Sequence, residues 1–171
     1  ALESDIRLQR GREYWQLGLY DEARLEFESL RNDVSENAAD SFRLTNYMLD
    51  LGLYRPAIFA ARQVLDLAGM KNHAETLHAP AYFNHVRYGT YYSDLVEPTA
   101  EEYDFHPIFL YSLMRQESLF EGFVHSAAGA RGLMQIIPAT GANIASQNSW
   151  LIEYTAEDLY RPMVSVKFGT W

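Results

Sequence analysis

Cysteine is absent from the 171 residues, which excludes disulfides and thiolate metal sites and decides nothing about redox compartment. No run of 18 or more apolar residues occurs, so no segment reads as a membrane-spanning helix. Basic residues are few, 14 Lys and Arg against 23 Asp and Glu, for a formal charge of −9. A nucleic-acid partner would call for a basic footprint, and an anionic membrane would repel such a chain. Low-complexity tracts are missing, and 48% apolar residues suffice for a core, which argues against disorder. The length suits one domain or two small ones. No alternating run of strand length stands out, so the fold class is read as all-α. The chain begins at Ala1 with no signal peptide, as a mature or trimmed product would.

What is present begins with a repeat. Leu17-Gly18-Leu19-Tyr20 recurs 34 residues later as Leu51-Gly52-Leu53-Tyr54, and Ala23 recurs as Ala57. This is the period of tetratricopeptide repeats, in which the Gly separates two helices and the Tyr and Ala pack the second. Tyr14, Trp15, Phe27 and Leu30 complete one unit; Tyr47, Leu49, Ile58 and Leu65 help complete the other. About three units are usually needed for a stable stack, so further repeats before Ala1, or the helices that follow, are expected to cap it. One use of such repeats is a groove for a protein partner. The other, preferred here, is a structural superhelix, and residues 1–75 are assigned to it.

Gly69 to Thr90 reads as a junction. Gly69 suits the residue just past a helix end. Tyr82, Phe83, Tyr88, Tyr91 and Tyr92 make the region aromatic, and interdomain packing suits them better than a sugar platform. Helices are expected over 91–102 and 138–147, with Trp150 to Tyr154 as a connecting segment. Thr155 caps the next turn, with Glu157 and Asp158 well placed at a helix start.

The stretch from Met114 to Thr140 carries the chemistry. Pro107 suits a first helical position. Leu110, Leu113, Met114 and Glu117 follow at i, i+3, i+4 and i+7, one face of a helix. A carboxyl on an apolar stripe is expected to be partly desolvated, and desolvation favours the protonated acid that cleavage of a glycosidic bond requires. Arg115 and Arg131 are the cations expected to oppose this. His125 to Gly132 is too rich in Gly and small residues for a helix and reads as a tight loop. Gln135 interrupts the apolar run Leu133–Ile137, and its amide can donate to and accept from a sugar substituent. Glu121 and His125 read as solvated loop residues.

Together Glu117-Ser118-x-Phe120, Ser126-x-x-Gly129-Ala130-x-Gly132-Leu133-Met134-Gln135-Ile136-x-Pro138-x-Thr140 resembles the soluble lytic transglycosylases of the bacterial cell wall. His78-Ala-Pro-Ala-Tyr-Phe resembles the segment preceding that family's catalytic domain. Leu159-Tyr-Arg-Pro162 with Gly169 echoes a later family pattern. Two positions depart: Glu121-Gly122 stands for a common Asn-Pro, and Ile137 for a common Met. The resemblance implies a lysozyme-like domain over 76–171, preceded by an N-terminal helical superhelix. It implies Glu117 as sole catalytic acid/base, with Ser126, Met134, Gln135 and Ile137 as substrate-binding positions. The implied partner is the peptidoglycan glycan strand, in the periplasm or extracellular cell envelope. The implied reaction cuts the β-1,4 bond between N-acetylmuramic acid and N-acetylglucosamine, leaves a 1,6-anhydro ring, and needs no metal or organic cofactor. Two alternatives stand beside it: a goose-type lysozyme-like hydrolase, and a non-catalytic repeat scaffold that binds glycan. The family's Ala-Tyr-Asn-x-Gly pattern does not occur here. The catalytic domain is therefore expected to be truncated at its C-terminus, with Met163, Val166, Phe168 and Trp171 uncovered.

Overall fold

The computed structural model describes residues 2–148, 151 and 153–171. Trp150, in the connecting segment read from the sequence, lies outside the described residues. Among the described residues the chain is helical, with isolated β-bridges but no strand. It divides into two compact units, Ala1–Gly89 and Thr90–Trp171. The division falls at the end of the segment 69–90 read as a junction.

In the first unit, a 3-10 turn precedes α1 (Ile6–Gln16), α2 (Tyr20–Asp33), α3 (Ala38–Asp50) and α4 (Tyr54–Leu67). Asp5 caps α1, accepting the Arg7 backbone N–H. The Arg7 guanidinium and that N–H hold the Asp5 carboxyl down at about 2. α1 packs on α2 and α3 on α4, giving two hairpins. Their turns repeat bond for bond. The N–H of Leu19 reaches the carbonyl of Tyr14 at 2.9 Å, and that of Leu53 reaches Met48 at 2.8 Å. Gly18 and Gly52 both sit at φ +76°, a left-handed value that Gly adopts without a Cβ penalty. Ala23 and Ala57 are both fully buried where the helices approach closely.

Two short helices complete this unit, α5 (His73–Leu77) and α6 (Ala81–Arg87). α6 packs on α4, Tyr82 and Phe83 meet the Phe42 ring, and the Tyr82 hydroxyl donates to Asn46 Oδ1 at 3.0 Å. These two aromatics are packing residues of the first unit, whereas Tyr91 packs edge-on against Phe120 within the second.

The second unit holds α7 (Ser93–Glu102), α8 (Pro107–Ser118), α9 (Pro138–Gln147), a 3-10 helix (Ala156–Tyr160) and α10 (Pro162–Thr170). Prolines open α8, α9 and α10, where the missing N–H is not needed. Thr155 and Asp158 form a reciprocal capping box at the 3-10 helix. α10 packs on α7 and on the 3-10 helix. Val166 and Phe168 are accordingly buried, contrary to the expectation that they would be uncovered; Met163 in the same helix and Trp171 just past its end remain exposed. The helix turns Val164, Val166 and Phe168 inward together, and they complete the core with Val96, Leu110, Met114, Leu133 and Leu159. Among the described residues no helix is long and apolar enough to cross a membrane.

Candidate functional site

Helix α8 presents its acid at the penultimate position. Its buried stripe is Leu110, Tyr111, Met114 and Ser118. Glu117 lies beside this stripe and its side chain is exposed, which corrects the expectation of a desolvated carboxyl. The reason is phase: Ser118 at i+8 from Leu110 occupies the inward position that Glu117 was read to hold, leaving Glu117 at the rim. Farther up, the Tyr111 hydroxyl faces Glu97 at 3.5 Å. Burial, then the charge of Glu97, pushes its phenol up to about 12.

The chain reverses sharply after Ser118. Leu119 and Phe120 adopt φ of 51° and 65°, two consecutive left-handed non-Gly residues. Such conformations cost energy and persist where surrounding packing enforces them. Phe120 is driven into the core, and Glu121 follows it to 3% exposure. Glu121 is therefore buried rather than solvated. Nothing in its sequence context signals this, because a carboxyl after an aromatic in a Gly-containing turn reads as surface.

The loop that follows is built on two antiparallel bridges, His125 with Arg131 and Arg131 with Ile136. The Ser126 N–H donates to Ala130 O at 2.9 Å, and Ser126 Oγ accepts the Ala130 N–H at 3.1 Å. Gln135 sits at φ 47° and folds its amide back into the loop. Its Nε2 donates to Gly132 O at 2.9 Å and Val124 O at 3.2 Å. Both amide protons are thus committed, and the side-chain carbonyl is what remains to accept a ligand's hydroxyl or N–H. Met134 is only 7% exposed; its backbone N–H donates to buried Ser165 Oγ at 3.0 Å, and its side chain lies against Gly169. Ile137 is 48% exposed, just before α9.

A side-chain hydrogen bond ties the acid's helix to this loop. The single proton of Ser118 Oγ is shared between Leu133 O at 2.9 Å, the shorter contact, and Met114 O of its own helix at 3.1 Å. It fixes the last turn of α8, and with it Glu117, against the segment Leu133–Gln135. From the other side Arg131 ion-pairs with Glu157 and lies over the Tyr160 ring, 5.4 Å from its centre. Arg131 is thereby committed elsewhere and does not serve as the counter-charge to Glu117. Backbone and side-chain bonds from Thr155 and Arg161 hold the Asp158 carboxyl below the usual carboxylate range, keeping the neighbouring cap ionised. Sequence reasoning assigned no role to Ser118 or Ser165; a hydroxyl at a helix end gives no clue to a partner 15 residues away. Among the described residues no cluster of three His, Cys, Asp or Glu could hold a metal.

We expect Ser118→Ala to cost about 1–3 kcal/mol, because it strips a buried carbonyl of its donor. Urea denaturation of the variant and parent chains measures this. A shift within error would show that the Ser118–Leu133 bond does not hold the turn.

Comparison with known proteins now bears on this arrangement. Residues 94–171 match the family model of the Transglycosylase SLT domain. A Haemophilus influenzae protein bearing the name soluble lytic murein transglycosylase is 32% identical over 79 residues, 46% of this chain and 13% of its own. An inactive Glu-to-Gln mutant of the lytic transglycosylase Slt of Pseudomonas aeruginosa superposes with a TM-score of 0.75 at 19% identity. The 70-kDa soluble lytic transglycosylase of Escherichia coli gives 0.76 at 23%. A 70-kDa soluble lytic transglycosylase in complex with bulgecin A gives 0.76 at 24%. Each superposition covers 99% of this chain and 25% of the other, so the chain spans about a quarter of these solved relatives. At these identities the structures carry the fold. The all-α reading stands, and the matched residues 94–171 run from the second residue of α7 through α10, with Glu117 and the Gln135 loop among them.

Proposed function

We propose that the chain is the acid-bearing part of a peptidoglycan lytic transglycosylase of the cell envelope, with Glu117 as its single acid/base. The observation that carries this reading is the Ser118–Leu133 hydrogen bond, which sets the turn bearing Glu117 beside a loop whose Gln135 retains one free acceptor. That a Glu-to-Gln mutant of a relative is inactive supports the choice of a glutamate. Glu117 protonates the glycosidic oxygen as the bond from C1 of N-acetylmuramic acid breaks. The substrate's N-acetyl oxygen stabilises the cation at C1; substrate assistance is an exception to the usual two-carboxylate scheme. The 6-hydroxyl oxygen then bonds to C1 and returns its proton to Glu117. Atoms balance with no water consumed and no other reactant. In the free chain Glu117 is open to solvent; a bound glycan strand would cover it and exclude water at the moment of transfer. Ser126, Met134, Gln135 and Ile137 are proposed to shape the cleft, with Gln135 and Ile137 offering contacts and Met134 backing the loop. Mass spectrometry of peptidoglycan digested by the full-length protein tests the product. Ends one water lighter than reducing ends are expected; reducing ends alone would replace this reading with that of a hydrolase.

A further inference from the structure

The first unit carries an open surface groove of about 460 Å³, with Glu3, Gln9, Arg12 and Glu13 exposed along it, that the proposed chemistry does not use. It is lined by Glu3, Leu8, Gln9, Arg12, Glu13 and Tyr47, from the start of the chain, α1 and α3. Its volume falls within the range of small-ligand sites, about 300–1,000 Å³. Leu8 and the Tyr47 ring, edge-on to buried Phe27, give an apolar floor.

The repeat supplies an internal control. The second hairpin's equivalents of Gln9 and Arg12 are Arg43 and Asn46, 34 residues on. Arg43 pairs with Asp40, and Asn46 accepts the Tyr82 hydroxyl. In the first hairpin Arg7 pairs with Asp5 and Asp33, and Arg10 with Glu26. Among the described residues, the Arg12 guanidinium makes no ion pair and the Tyr47 hydroxyl no hydrogen bond. A guanidinium offers a rigid fork of donors matched to a carboxylate. Two carboxylates, Glu3 and Glu13, share the rim and outnumber it, so a simple anion is disfavoured. A ligand carrying both charges is not.

We propose that this groove binds a short peptide bearing a carboxylate and an ammonium, Arg12 and Tyr47 taking the first and Glu3 and Glu13 the second. The stem peptides of peptidoglycan have this chemistry, and choosing them as the source rests on the function proposed above. The probe is the free stem tetrapeptide L-Ala-γ-D-Glu-L-Lys-D-Ala, titrated into the 171-residue chain by isothermal calorimetry and NMR. Saturable binding is expected, with chemical-shift changes at Tyr47. Arg12→Ala should weaken it by about tenfold or more, the loss of a charge-assisted pair. Arg12→Lys should recover part of it, and Arg10→Ala, outside the groove, should leave it unchanged. No binding, or equal binding by Arg12→Ala, overturns the site. Equal binding of an α-linked all-L tetrapeptide of the same composition overturns the assignment to stem peptides. Cleavage of peptide-free glycan strands, assayed separately, isolates the other reading: cleavage without tetrapeptide binding sinks only this site, and binding without cleavage sinks only the transglycosylase.

Discussion

Glu117→Gln in the full-length protein is expected to fold normally and lose at least about 10³-fold in turnover on peptidoglycan. The magnitude follows from the chemistry. General acid–base catalysis is worth about 10²–10⁴-fold per proton transfer, and here one group performs both transfers. Gln is nearly isosteric, so binding should survive. It can hydrogen-bond to the leaving oxygen, but it has no acidic proton to give and no basic site to receive one. Exposure of Glu117 in the free chain also means that removing its charge leaves no buried partner behind, so stability should change by less than about 0.5 kcal/mol. Release of muropeptides and the urea midpoint check the two halves. A variant with a parental midpoint and a tenth or more of parental turnover would end the role proposed for Glu117.

The sequence made the element order legible for a physical reason. Helix starts were marked by Pro107, Pro138, Thr155 and Pro162, and helix ends by Gly18, Gly52 and Gly69, residues whose backbone preferences act locally. The 34-residue period was legible because both hairpins need the same turn and the same small residue at Ala23 and Ala57. What the sequence hid lay at the candidate site. Periodicity put Glu117 on the apolar face, whereas Ser118, one residue on, is the one that turns inward. The Leu133 carbonyl, a partner from a distant segment, takes the bond that a serine hydroxyl can donate and an ionised carboxylate cannot. Glu121 was hidden for a related reason: two left-handed residues reverse the chain before it, and Leu and Phe are not residue types that announce such a conformation. Val166 and Phe168 were misread because their cover comes from within the same unit, across α7 and the 3-10 helix. Gln135 was legible as a polar interruption, though not that its own loop would consume both donors.

Gly132→Ala is expected to destabilise the chain by about 4 kcal/mol or more, an exceptional value for a single methyl group. Two causes act together. Gly132 sits at φ +74°, where an L-residue pays roughly 1–2 kcal/mol for its Cβ. That Cβ would also stand 1.9 Å from the carbonyl oxygen of Leu159 and 3.0 Å from Ser165 Oγ. The first is a backbone atom of the 3-10 helix, so no rotamer change removes the overlap; the loop or the helix has to move. The N–H of Gly132 is itself bonded to Val124 O at 2.9 Å, and Met134 two residues on is tied to Ser165. Relief of the clash therefore breaks bonds that shape the Gln135 loop. Gly129→Ala separates the two causes, since Gly129 has φ +80° but no atom within 4 Å of its would-be Cβ. It should cost only the backbone part, about 1–2 kcal/mol. Urea denaturation of the two variants beside the parent gives both numbers. Equal losses would mean that the approach of Gly132 to Leu159 does not constrain the loop, and that the left-handed backbone alone explains the glycine.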